Sequence, residues 1–163
     1  MYRVSSSSLV LTVASILLSA SPTPADDPPK TPKTSADMVK VAAEATRPDA
    51  DGKQTVAITI NIEKGWHIHA NPNTTDKGLK AAQTVVTITG KGKPEVVKID
   101  YPEGKLLKME GLPDLRIYEG KVEIKAVVRR TKGDAEKLEI GVFLQADTDE
   151  VCMLPATVKL TAP

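Results

Sequence analysis

From Met38 onward, apolar and polar residues alternate one for one in seven separate runs. "MVKVAAEA" places Val39, Val41, Ala43 and Ala45 on one face, and "TVAITINI" does the same with Val56, Ile58, Ile60 and Ile62. "TVVTIT" offers Val86 and Ile88, and "EVVKIDY" offers Val97, Ile99 and Tyr101. "KVEIKAVV" lines up Val122, Ile124, Ala126 and Val128. "KLEIGVFLQA" lines up Leu138, Ile140, Val142, Leu144 and Ala146, and "ATVKLT" closes with Val158 and Leu160. Side chains of a strand point alternately to opposite faces, so each run predicts a strand with one face for a core and one for water. Turn-forming segments join them: 47–53, 90–94 and 131–134. No stretch keeps a helical period with caps. Seven strands with such turns predict an all-β chain, an antiparallel β-sandwich of immunoglobulin-like size, with a small barrel as the alternative. Two longer connections, 69–82 and 102–120, break the rhythm, and long connections in compact domains often carry function.

The first residues follow another pattern. Arg3 precedes an apolar run from Leu9 to Ala20, and small residues follow at 23–25. This predicts a secretory signal peptide over 1–25, cleaved after Ala25 or alternatively after Ala20. The apolar run of 12 residues is short of the roughly 20 that span a bilayer. No cysteine follows it to take a lipid. Cleavage after Ala25 leaves 163 − 25 = 138 residues. Of these, 26–37 is proline-rich and polar and predicts a flexible linker, leaving 38–163 as the folded domain. The mature protein is expected to be periplasmic or secreted, and to lack a membrane span.

Net charge is +1, with both signs scattered along the chain. That leaves no basic stripe for nucleic acid. Aromatic residues make up 3% of the chain, too few for stacking platforms. The single cysteine, Cys152, excludes an internal disulfide, so the fold rests on its core.

Three motifs then stand together: "GWHIHANP" (65–72), "LRIYEGKVEI" (115–124) and "LQADTDEVCMLPATVKL" (144–160). In this order and spacing they resemble the N-terminal periplasmic domain of the thiol:disulfide interchange protein DsbD, over roughly 36–161. The resemblance implies an immunoglobulin-like fold, in agreement with the strand pattern. It also implies a pair of cysteines that pass a disulfide between a membrane-embedded donor and thioredoxin-like partners. Cys152 matches the second cysteine of that pair, and Asp147 stands where the first belongs. Tyr118 matches the aromatic part of a loop that caps the pair. Trp66 and His67 match a strand motif with a mainly structural role.

A dithiol carrier needs its second thiol to resolve the mixed disulfide formed with a partner. With Asp147 in that place, the reading is a degenerate member: an exported binding or interaction module rather than an enzyme, without a cofactor. Its partner would be a thioredoxin-like or another exported protein. The alternative is a single-cysteine redox partner acting through Cys152. Asp147, Asp149 and Glu150 surround that thiol in sequence, and negative charge raises a thiol pKa from its usual value of about 8.5. No Lys, Arg or His lies nearer in sequence than Lys159. A buried or half-buried, unreactive thiol is therefore expected, with Asp147 shielding the sulfur. A third reading is a copper or other metal site. His67 and His69 would share a strand face, with Cys152 and Met109 or Met153 as soft ligands. "NTT" at 73–75 fits a glycosylation acceptor. No Ser/His/Asp set and no phosphate loop is present.

Overall fold

The computed structural model describes residues 33–73, 82–108 and 114–163. All seven alternating runs are strands: β1 (Val39–Ala45), β2 (Lys53–Ile62), β4 (Val85–Thr89), β5 (Glu95–Asp100), β8 (Lys121–Arg129), β9 (Leu138–Leu144) and β11 (Ala156–Ala162). Four short strands join them: β3 (His67–His69), β6 (Lys105–Leu107), β7 (Leu115–Tyr118) and β10 (Ala146–Asp147). They pair antiparallel in three sheets, ordered β1-β2-β8-β5, β11-β9-β4 and β10-β3-β7-β6. This is an immunoglobulin-like β-sandwich. The alternation is what makes it one: Val56, Ile58, Ile60, Ile124, Val128, Leu138, Val142 and Leu144 are wholly or almost wholly buried on inner faces. They form one core with Ile68, Tyr118 and Ala146 from the third sheet.

Three expectations need correction. Val97 is not a core residue; it is 45% exposed. Register shifts between Val96 and Lys98, which pair with Val128 and Val127, so Val97 is the extra residue of a bulge and the alternation breaks there. The segment 102–120 is not one long connection, because it contains β6 and β7. And the folded domain starts ahead of Met38. Ser35–Met38 forms a 3-10 turn, closed by the Asp37 N–H to the Thr34 carbonyl (3.0 Å) and by the Thr34 N–H to Asp37 Oδ2 (2.6 Å). Ser35 is fully buried.

The two ends of the sandwich are built differently. At one, the turns before β2 and after β8 interlock. Gly52 has φ 76, and a Cβ there would come within 2.6 Å of the Arg130 carbonyl, so only glycine lets the turns meet. Behind them Arg130 and Asp134 form a buried ion pair, Nε to Oδ2 3.3 Å. The other end carries β3, β10 and the cysteine.

Candidate functional site

The cysteine lies in a tight hairpin. Thr148 N–H donates to the Val151 carbonyl (2.8 Å) and Met153 N–H to the Ala146 carbonyl (3.0 Å). The Thr148 hydroxyl accepts from the amides of Glu150 (3.2 Å) and Val151 (3.0 Å) and holds the bend. Between those two backbone bonds, Asp147 and Cys152 face each other as a bridge pair. Flanking bonds of this kind define a non-hydrogen-bonded pair, the position where antiparallel backbones come closest, about 4.5 Å between Cα atoms. Ser35 fastens the base of the hairpin. Its N–H (3.0 Å) and hydroxyl (2.7 Å) both donate to the Leu154 carbonyl, and its Oγ accepts from the Ala146 amide (2.9 Å).

Strand β10 pairs with β3 so that Asp147 stands opposite His67 and Ala146 opposite Ile68. This register brings the His69 ring to the aspartate: His69 Nε2 to Asp147 Oδ2 is 2.7 Å, with side-chain exposures of 12% and 6%. Gln145 Nε2 donates to the other carboxylate oxygen at 3.2 Å. Burial pushes the Asp147 carboxyl up. The hydrogen bonds from His69 and Gln145, together with the His69 charge, outweigh that and hold it below its ordinary value. Cys152 is exposed, which corrects the expectation of a buried thiol. Its pKa is nevertheless raised, first by the Asp147 charge, then by the slight burial and by its hydrogen bond to that carboxylate. The order is thiol, carboxylate, imidazole. A nucleophile triad needs the imidazole next to the sulfur to take its proton; here the carboxylate intervenes and keeps the proton on the sulfur.

His67 faces the same corner. Burial lowers its pKa most, His69 lowers it further, and Asp147, Asp149 and Glu119 oppose. A groove of about 550 Å³ runs beside the hairpin past Glu63, Trp66, His67, Glu119 and Asp149. Tyr118 is a core residue of β7, 3% exposed, rather than part of a capping loop. Its hydroxyl donates to the Pro102 carbonyl (2.8 Å) and accepts from the Asn71 amide (3.2 Å), and burial raises its pKa. Trp66 packs half-buried against the core, as does Met153. Met109 and Thr75 lie outside the described residues. Asn73 is fully buried, so its side chain is no glycosylation acceptor in the folded domain. Among the described residues no group of three or more His, Cys, Asp or Glu side chains is placed to hold a metal, and His69 Nε2 is engaged by Asp147.

The structure thus brings Asp147 to His67 and His69 as well as to Cys152; the sequence had suggested the thiol with the carboxylate, and the thiol with the histidines, but not the carboxylate with the histidines. Ser35 and Gln145 were missed. "TSAD" at 34–37, with a capping residue and an acid three positions on, was the available signal for an ordered start before Met38.

The model of the family described as "Thiol:disulfide interchange protein DsbD, N-terminal" matches residues 35–162. The chain belongs to this family. No curated protein matches it. Among solved structures, the N-terminal periplasmic domain of ScsB from Proteus mirabilis is similar, with a TM-score of 0.53 and 14% identity over 76% of this chain and 44% of that one. The chain therefore spans less than half of that ScsB chain. The reduced DsbD N-terminal domain of Neisseria meningitidis gives a TM-score of 0.44 and 12% identity, covering 72% of this chain and 80% of its own. A DsbD N-terminal domain from the same organism, in complex with a PilB N-terminal domain, gives 0.41 and 15%, covering 74% and 80%. Within the DsbD N-terminal family, then, this member carries one thiol, with a carboxylate directly across the hairpin. No helix among its described residues is long and apolar enough to cross a membrane.

Proposed function

We propose that this DsbD N-terminal-like domain is exported, with residues 1–25 as signal peptide, and serves as an interaction module that has lost dithiol–disulfide exchange. One observation carries the reading: Asp147 occupies the closest cross-strand position to Cys152, and the chain holds no second sulfhydryl. A disulfide needs Cα atoms roughly 4.4–6.8 Å apart, which a non-hydrogen-bonded pair supplies. What is missing is the sulfur, not the geometry. The partner is a thioredoxin-like or another exported protein. The face it would meet carries Cys152 between the exposed side chains of Val151 (48%) and Leu154 (65%).

Asp147→Cys tests the reading. After mild oxidation the variant is expected to lose both free thiols and to regain them together on reduction. If both thiols stay free in the folded, oxidised variant, Asp147 does not stand in the place of a redox cysteine and the reading fails.

The exposure of Cys152 favours one second reading, a single-thiol redox partner. Its thiolate attacks a partner disulfide, forms one new S–S bond and releases the partner's other sulfur as a thiolate. No internal thiol can then resolve the product. Incubation of the wild type with oxidised glutathione, followed by intact mass, separates the two. A single adduct that builds up readily supports capture, and an unmodified protein supports the interaction module.

A further inference from the structure

The arrangement of Cys152, Asp147 and His69 holds more than a silenced thiol. Asp147 is buried and has neighbours on both sides: His69 through a 2.7 Å bond on one oxygen, and Cys152 as its cross-strand partner in the hairpin. We propose that His69 is a positioning residue that sets the reactivity of Cys152 through Asp147, so that the charge on the imidazole governs how readily the thiol ionises. The inference rests on the reading of the Cys152 hairpin as the working face, and it concerns how that face is regulated.

When His69 carries both ring protons, the imidazolium and the carboxylate nearly cancel, and the sulfur faces little net charge. When His69 is neutral, it still donates from Nε2, but the carboxylate charge is no longer offset. The thiolate is then harder to form. Burial strengthens the first half of the coupling, because water screens little between His69 and Asp147, whose side chains are exposed 12% and 6%; the exposed thiol then senses the net charge of that pair. The other charged groups around this corner are His67 on β3, Glu119 after β7, and Asp149 in the hairpin bend. Gln145 supplies a neutral donor. None of these lies between the imidazole and the sulfur, as Asp147 does. The pair also comes from this chain's own departure: with a cysteine at 147, no buried carboxylate would exist for His69 to meet.

The test uses the folded mature protein and a small aromatic disulfide, so no biological partner is needed. Cys152 thiolate attacks one sulfur of the reagent, a mixed disulfide forms, and the coloured aromatic thiolate leaves. The thiol proton goes to solvent. A simple thiol shows a rate rising tenfold per pH unit up to its pKa. Here two offset lines are expected. The rate flattens through the His69 titration and resumes its slope above it, displaced downward by roughly three- to tenfold, the effect of one unit charge on a partly buried neighbour.

The NMR titration midpoint of the His69 ring should coincide with the flat segment in the wild type. His69→Gln keeps a donor near the Nε2 position and cannot titrate, so its profile should be one unbroken line. Asp147→Asn should also lose the offset and react about tenfold faster at neutral pH. An unbroken wild-type profile, or a His69 midpoint away from the flat segment, overturns the inference even if both variants fail to fold. So does a His69→Gln profile that superimposes on the wild type. Either result leaves the proposed interaction role untouched, because that is judged by Asp147→Cys.

Discussion

At one end of the sandwich Arg130 and Asp134, four residues apart, form a buried ion pair. At the other end His69 and Asp147, 78 residues apart, meet through a hydrogen bond of 2.7 Å with both side chains largely buried. The first pair is closed in. Arg130 Nη2 donates to the Glu136 carbonyl, and Asp134 Oδ1 accepts from the Glu136 amide at 2.9 Å. The turn at 90–93 lies so close that a Cβ on Gly92 would overlap the Asp134 carboxylate. A guanidinium stays charged at any pH that a protein survives. This pair is a permanent clamp on two turns. The second pair uses an imidazole, a base that can exist with or without its charge, and its carboxylate stands opposite an exposed thiol. The same element, a buried acid–base pair, serves as a fixture at one end and as a variable at the other. What separates them is the cation chosen and what lies on the far side of the carboxylate.

The largest effect should come from breaking the fixture. Arg130→Ala leaves Asp134 buried without its cation, which is expected to cost about 3–5 kcal/mol in denaturant unfolding. The rate of Cys152 with a small disulfide should stay as in the wild type, because well-separated sites act independently. An equal disturbance of the thiol would show that the two ends are coupled and the comparison mistaken.

Ser35→Ala acts at the other end and should be milder. It removes the acceptor of the buried Ala146 amide and one of two donors to the Leu154 carbonyl. A stranded buried amide costs about 1–3 kcal/mol. Hydrogen exchange should accelerate at Ala146, beside the hairpin, and remain slow in β2 and β8. Uniform acceleration would mean that Ser35 supports the whole domain rather than the cysteine hairpin.

The smallest effect is in the pH dependence of stability. His67 has a folded pKa below its ordinary 6.5, so the unfolded chain binds its proton more readily. Its contribution is complete above that value and fades as pH falls from there toward the lowered folded value. Asp147 is depressed below its ordinary 3.8. Its contribution is complete above that value and is lost as pH falls further. Unfolding followed from pH 8 to pH 3 should therefore show stability declining in two steps, and His67→Asn should remove the upper one. An unchanged upper step in that variant would assign it to another group.

The fold was legible because it is written in a local code. Period-two alternation places Val56, Ile58 and Ile60 on one face regardless of what pairs with them. It failed at Val97, where a bulge shifts the register, since a bulge depends on the partner strand. It also passed over β6 and β7, which are too short to show a period. At the site, the confrontation of Asp147 with Cys152 was within reach, because a hairpin joins residues only five apart. Its acidic character correctly indicated a raised thiol pKa. The thiol's exposure was not legible, since it depends on how the hairpin sits on the rest of the fold.

The chain by itself determined a sandwich, one thiol, and a carboxylate five residues before it. Alternation, hairpin chemistry and composition are all properties of neighbours in sequence. Only the tertiary structure decided that His69 stands behind that carboxylate, 78 residues away, and that Ser35 holds the hairpin from 111 residues away. Both follow from how distant segments are brought together, β3 against β10 in one case and the Ser35–Met38 turn against the hairpin base in the other. Such placements are selected by the whole core, because a slip of one residue would turn every buried side chain of a strand outward.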